Sequence, residues 1–272
     1  MKKSVITLMA AAGLLTFSLA AQQQFPNYNQ SATWKNKQVT AGTDGATLDI
    51  SQPVVLQHST RIKIDKNATY RFSGEIRKAK GTPSSPYFIY LATYAKNRQP
   101  IHPAHMCFYK GTDTVLTADV PRGATVIRVK DGSKWKVGDW NFVAFNTHPS
   151  FKDIPNYDMS NNGIKAVKKD GNDWQITLLK PLKRAYKKGI NIREHVSGGW
   201  HHIAGRSNTT DRWVKFEVTL KGHSIPPKMD PRQFWQGSDT FAPMMFINNN
   251  RGSKDKEKFK TQLRNLKVEI IK

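Results

Sequence analysis

Asp119-Val120-Pro121-Arg122-Gly123-Ala124-Thr125-Val126-Ile127-Arg128-Val129 opens a stretch, Thr112 to Arg193, that decides how the rest of the chain is read. Short alternating runs follow between Gly, Asp and Pro turns: Trp135-Lys136-Val137-Gly138-Asp139-Trp140, Trp174-Gln175-Ile176-Thr177-Leu178-Leu179 and Gly189-Ile190-Asn191-Ile192. Alternation with a period of two marks a strand with one apolar face. Three sets are predicted to share faces in this way: Ile127 with Val129, Trp140 with Phe142 and Ala144, and Trp174 with Ile176 and Leu178. About eighty residues of this pattern predict a small β-barrel or β-ribbon with a modest core of its own. The flanks, 37–111 and 194–272, read as incomplete halves of one sheet domain, so 112–193 is predicted to be an insertion into it.

The flanks carry the same signal. In Thr69-Tyr70-Arg71-Phe72-Ser73-Gly74-Glu75-Ile76-Arg77, Tyr70, Phe72 and Ile76 share one face and Arg71, Ser73, Glu75 and Arg77 the other. Trp213-Val214-Lys215-Phe216-Glu217-Val218-Thr219-Leu220 alternates likewise, and Leu266, Val268 and Ile270 give a closing strand. Tyr87 to Tyr94 is an almost unbroken apolar run, as expected of a central strand covered on both sides. No segment beyond the first twenty residues shows sustained helical periodicity, so the fold class is all-β.

Met1 to Ala20 reads as a signal peptide: Lys2 and Lys3 precede an apolar run, and Ser18-Leu19-Ala20 offers small residues for cleavage. Export to the periplasm or the extracellular space is expected, with no transmembrane segment, because no later run reaches the ~20 apolar residues of a spanning helix. Residues 21–36, rich in Gln and Asn, read as a flexible arm that Trp34 anchors at its end. Cys107 is the only cysteine, so no internal disulfide is possible, and between Met106 and Phe108 it is expected to be a buried apolar thiol. Lys and Arg number 43 against 20 acidic residues, a formal charge of +23. Such a balance implies an acidic partner, and export turns the expectation from nucleic acid to an anionic polysaccharide or cell-surface glycan.

Tyr70-Arg71-Phe72-Ser73-Gly74, then Tyr90-Leu91-Ala92-Thr93-Tyr94-Ala95-Lys96-Asn97, and Leu263-Arg264-Asn265-Leu266-Lys267-Val268 at the close, resemble the strands of carbohydrate-binding-module-like jelly rolls. That family occurs in bacterial extracellular and phage tail proteins. Some members also carry a small β insertion with a Gly-Ala-Thr to Val-Gly-Asp pattern, here Gly123-Ala124-Thr125 and Val137-Gly138-Asp139. The resemblance implies a galactose-binding-like jelly-roll β-sandwich interrupted by the inserted domain. It marks strands and turns more than a ligand site, and so speaks to fold before activity.

Candidate ligand residues gather at the two lips of the insertion. His102 and His105 lie at the first, with Tyr94 and Arg98 just before them; Trp200, His201 and His202 lie at the second, with His195 beside them. An indole face is a platform for a sugar ring, and imidazole donates to hydroxyls or sulfate. Equally, Trp200 caps a sheet edge and the histidines satisfy backbone carbonyls. Arg232 and Trp235, in a loop led by Pro226-Pro227, read either as an aromatic-plus-basic sugar reader or as a plug for one end of the sandwich. Convergence of the lips would place four or five histidines together, yet His102-x-x-His105 on a non-helical, Pro-containing stretch guarantees no common metal-facing side. No cofactor is called for. A structural calcium is the one ion the resemblance allows, with Asp153, Asp158 and 170–173 as loose candidates.

The chain has no Gly-x-Ser-x-Gly elbow, phosphate-binding glycine loop or zinc-protease helix. The expected function is therefore a secreted, non-catalytic protein that binds an anionic polysaccharide through Tyr94, Arg98, His102, His105, Trp200, His201, His202, Arg232 and Trp235. A self-associating structural protein of the envelope or of an extracellular assembly, donating its arm to a neighbour's sheet, is the alternative. A polysaccharide lyase drawing on His102, His201, Tyr94 and Arg98 is the second.

Overall fold

Period-two alternation builds this chain throughout. The computed structural model describes residues 25–34, 36–44, 46–51, 53–161, 163–197, 202–248 and 258–271; the expected signal peptide, 1–20, and the expected site residues Trp200 and His201 lie outside them. In chain order the strands are β1 (Val39–Ala41), β2 (Thr47–Ser51), β3 (Val54–Gln57), β4 (Ile62–Lys63), β5 (Thr69–Lys78), β6 (Pro86–Tyr94) and β7 (Pro100–Ile101). The next are β8 (Thr114–Val115), β9 (Val126–Val129), β10 (Asn141–Phe145), β11 (Ile164–Asp170), β12 (Asp173–Leu178) and β13 (Asn191–Val196). The last are β14 (His202–Asn208), β15 (Val214–Lys221), β16 (His223–Ser224), β17 (Phe234–Trp235), β18 (Thr240–Ile247) and β19 (Lys260–Ile271).

A five-stranded antiparallel sheet has the order β1-β2-β19-β5-β15. A six-stranded one runs β14-β6-β18-β3, with β4 added to β18 and β7 to β6. The two share a core: Leu48, Tyr70, Phe72, Ile76 and Leu263 from one sheet meet Ile89, Leu91, Phe241, Met245 and Ile247 from the other. Burying each of these side chains is worth about 1.5–3 kcal/mol. Tyr70 sets its ring edge-on to Phe241 and Phe234, with centroids 5.1 and 5.8 Å apart. Gly74 is held to glycine by this packing, since a Cβ there would lie 2.5 Å from Phe216 Cζ and 2.7 Å from Leu266 Cδ2.

The main pairings cross the interruption. β5 pairs with β15 and β19, and β6 with β14 and β18, so residues before and after 112–193 are neighbours in both sheets. The interrupting stretch folds on its own core of Leu116, Ile127, Val129, Val143, Phe145, Ile176 and Ile192, among others. It contains two three-stranded sheets, β10-β13-β8 and β11-β12-β9, linked by bridges Leu116↔Val129 and Gly138↔Ile164 that curl one toward the other. β13 runs through the expected 193/194 boundary without a break, so body and insertion share a strand.

Two expectations are corrected. On β10 it is Val143 and Phe145 that enter the insertion core, while Trp140 is 62% exposed. β10 is apolar on both sides, so alternation alone could not choose its face. The described part of the expected flexible arm, 25–34, is docked: Tyr28 and Trp34 are buried in the main core. Asn29 clips this segment to the bulge of β19, accepting from Leu266 N at 2.8 Å and donating to Leu266 O at 3.0 Å.

Candidate ligand site

β6 sits between β14 and β18, and its odd-numbered residues Tyr87, Ile89 and Leu91 enter the core. Phe88, Tyr90, Ala92 and Tyr94 therefore line the outer face. On β18 the same argument places Met244 and Phe246 outside, because Phe241, Met245 and Ile247 are inside. The unbroken apolar run of β6 is buried on both faces over most of its length, as expected: on the outer side Tyr90 and Tyr94 are only 5% and 4% exposed, and Phe88 is the half-buried ring that reaches the cleft edge.

The rings form one patch. Tyr90 and Phe246 stack, with centroids 6.1 Å apart and planes 14° from parallel, and Phe88 lies 5.0 Å from Tyr90. The Tyr90 hydroxyl donates to Met244 Sδ at 2.9 Å. Beside them a cleft of about 250 Å³ is lined by Arg61, Tyr90, Tyr94, His102, Trp235 and Met244. Arg61 lays its guanidinium 3.8 Å from the Tyr94 ring centroid and donates from Nη1 to Arg98 O at 3.2 Å. It also lines a second, more polar cleft with Lys96 and Arg98, of about 550 Å³. At the far end Arg206 joins Phe88 and Phe246 around a third, of about 280 Å³. From Phe88 to Tyr94 the strand advances about 20 Å, so rings line the middle of an extended trough and arginines stand at both ends.

The expected site residues divide accordingly. Tyr94, His102 and Trp235 line one cleft, and Arg98 lines its neighbour. Arg98 sits in a left-handed conformation, φ 66°, at the β6–β7 turn, a conformation that costs a non-glycine residue energy. His105 turns toward the insertion: its Nδ1 accepts from His102 N at 3.1 Å and its ring packs 4.5 Å from Tyr157. His202 is buried beneath the site, its ring 4.7 Å from Trp235. Arg232 is exposed and turned back on Asp230, to which its backbone N donates at 2.8 Å. Trp200 and His201 lie outside the described residues. Arg61, Phe88, Tyr90, Phe246 and Arg206 were not expected. The signal for Phe88 and Tyr90 was present, as aromatic residues at alternate positions of β6.

Burial holds this region's titratable groups away from charge. His102 is lowered by desolvation, and His105 is brought down to about 4 by desolvation and then by its neighbour His102. Burial raises the Tyr94 phenol, with Arg61 opposing. At neutral pH the cationic character of the trough is therefore carried by its arginines and lysine, with neutral imidazoles beside them.

The lips do meet, through backbone: Val196 N donates to Cys107 O at 2.9 Å and Tyr109 N to Glu194 O at 3.1 Å. Between them the buried run Arg193-Glu194-His195 knits insertion to body. Arg193 Nε donates to Asp113 Oδ1 at 2.7 Å and Nη2 to His148 O at 2.9 Å, and its guanidinium lies 4.8 Å from the ring centroids of both Phe108 and Phe151. Glu194 accepts from Asn141 Nδ2 at 2.7 Å and Lys136 N at 3.0 Å, yet burial pushes its carboxyl up to about 7. His195 pairs with Ala104 O at 2.7 Å while burial brings it down to about 4. These groups hold the junction together.

Among the described residues, no group of three or more His, Cys, Asp or Glu side chains is placed to hold a metal ion. Asp153 is engaged by Arg193 and Asn156, and Asp158 by Tyr186 and Asn146. No described helix is long and apolar enough to cross a membrane. Comparison of the chain with protein-family models, with curated proteins and with solved structures finds no significant match.

Proposed function

We propose that the protein is an exported, non-catalytic carbohydrate-binding protein whose ligand is an anionic polysaccharide lying along the outer face of β6 and β18. The observation that carries this reading is the trough itself: Phe88, Tyr90 and Phe246 in mutual contact, flanked by Arg206 at one end and by Arg61 and Arg98 at the other. Aromatic faces take the apolar faces of sugar rings, and guanidinium forks take carboxylate or sulfate in two-point contacts. The length of the trough suits several sugar units in a row, which favours a polymer over a single sugar. On this reading the two sheets are a galactose-binding-like jelly roll whose concave outer face is the site, and the protein works in the periplasm or outside the cell.

A glycan array of sulfated, uronic and neutral polymers, read at low and at physiological salt, tests the proposal. Retention of uronic or sulfated chains, weakening as the Debye length shortens toward about 8 Å, is expected. Retention of no anionic glycan at low salt would remove the proposal. Absorbance of unsaturated products in the same wells would convert the reading from a binding protein to a lyase.

A further inference from the structure

A second cleft, of about 310 Å³, opens where the lips of the insertion meet the loop 223–231. It is distinct from the trough in its residues and in its chemistry. Met106, Cys107, Phe108, Val196, Pro227 and Met229 give it walls that are mostly apolar, with Tyr109 and Lys110 completing the lining. Cys107 adds to that character, since burial pushes its thiol up to about 12 and keeps it neutral. A sugar would find few hydrogen-bond partners there, whereas an alkyl chain needs none.

The mouth is cationic. Lys110 is exposed and lines the cleft beside Tyr109, whose ring carries the Lys136 ammonium 4.1 Å from its centroid. No carboxylate is among the described residues that line it. Glu194, the nearest in sequence to Val196, is buried with its oxygens turned to Asn141 and Lys136 N. In the loop that supplies Pro227 and Met229, Ile225 is 71% exposed. Trp140 accepts from the N–H of Ser197, the residue after Val196.

We propose that this junction cleft binds a single-chain anionic amphiphile, its alkyl chain among Met106, Phe108, Val196 and Met229 and its carboxylate or phosphate head at Lys110 and Lys136. Charge complementarity selects an anionic head over an uncharged one, and the small volume selects one chain over two. Lys136 bridges the two ends of the cleft's chemistry, because its backbone holds Glu194 inside while its ammonium faces out over Tyr109.

Isothermal titration calorimetry on the mature chain, with octanoate, decanoate, laurate and decanol below their micelle concentrations, tests this. One saturable site is expected, with affinity for the acids rising about tenfold for each two methylenes added. Lys110→Glu, a substitution at an exposed side chain, is expected to weaken laurate about tenfold and to leave decanol unchanged. Val196→Trp, filling the cleft, is expected to abolish both, with thermal melting used to verify that it folds; Lys110→Glu keeps the test alive if it does not. Absence of saturable laurate binding, equal affinity for acid and alcohol, or indifference to Lys110→Glu would overturn the proposal. Binding to phosphatidylglycerol vesicles without uptake of monomeric laurate would overturn it too, assigning the face to a bilayer. Phe88→Ala, in the trough, is expected to leave laurate binding as it is, so this result stands or falls apart from polysaccharide binding.

Discussion

On the outer face of the five-stranded sheet, Arg71 Nε donates to Glu269 at 2.8 Å, Arg264 Nε to Glu75 at 2.5 Å and Arg77 Nε to Gln262 at 2.8 Å. Arg77 and Arg264 also clasp the Trp213 ring, 4.4 and 4.2 Å from its centroid. On the outer face of the six-stranded sheet the corresponding positions hold Phe88, Tyr90, Met244 and Phe246. Both faces are the solvent side of the same body, yet the first pairs Arg71 and Arg264 with carboxylates, whereas Arg61 on the second lies over a ring and donates to a backbone carbonyl. Paired surface charges of the first kind contribute little to stability and leave little to offer a ligand. An aromatic patch kept in contact with water is a standing cost, recovered when something covers it.

That contrast can be broken by substitution. The largest effect is expected from removing the accessible rings: Phe88→Ala with Phe246→Ala should weaken binding of a uronic or sulfated polymer about 30-fold or more, with melting temperature nearly unchanged. A fall in binding of less than threefold would show that the trough is not the site. Arg61→Ala should cost about tenfold for the anionic polymer and flatten its salt dependence, read by affinity electrophoresis at two ionic strengths.

The junction behind the trough gives a pH test. Glu194 has its pKa raised to about 7, so its contribution is fully present below its unfolded value and is lost as pH rises to 7. His105 and His195, both lowered to about 4, act in the opposite sense: their contribution is present above the unfolded histidine value and is lost as pH falls toward 4. Glu194→Gln removes the opposing member, so urea midpoints for that variant should fall more steeply than wild type between pH 7 and 4.5, by roughly 2 kcal/mol in stability. Parallel curves would contradict the assignment. Because burial lowers both His102 and His105 below the usual histidine range, polymer affinity itself should change little between about pH 8 and 7.

The smallest effect belongs to the paired face. Arg264→Met should leave polymer binding within about twofold and stability within about 1 kcal/mol. A large loss of binding would move the site to the other sheet.

Much of the body was legible in the sequence because strands such as β5 and β15 carry apolar residues on one side and charged ones on the other. The pairing of the two flanks across 112–193 followed from their incompleteness. Where both sides of a strand are apolar, the period-two signal gives no direction. That is why the face of β10 was misread, while the run of β6, with Tyr90 and Tyr94 buried on its outer side, is covered on both sides over most of its length. Arg61 escaped notice because nothing near it in sequence marks it; the Tyr94 ring beneath it is 33 positions away and meets it only through the β4–β18–β6 order. The segment 25–34 looked mobile by composition, and only the core that receives Tyr28 and Trp34 explains its docking. Tyr94, Arg98, His102 and Trp235 were foreseen and lie around the adjoining clefts, His105 and His202 pack against neighbouring side chains, and Arg232 is an exposed side chain beside Asp230.

Titration of an oligouronate into isotopically labelled protein, followed residue by residue in amide and side-chain spectra, addresses the placement of the ligand most directly. The account predicts that perturbations concentrate on Arg61, Phe88, Tyr90, Arg98, Arg206 and Phe246 and spare Arg71, Glu75, Trp213 and Arg264. Perturbations centred on the latter four, or confined to the loop 223–231, would contradict it.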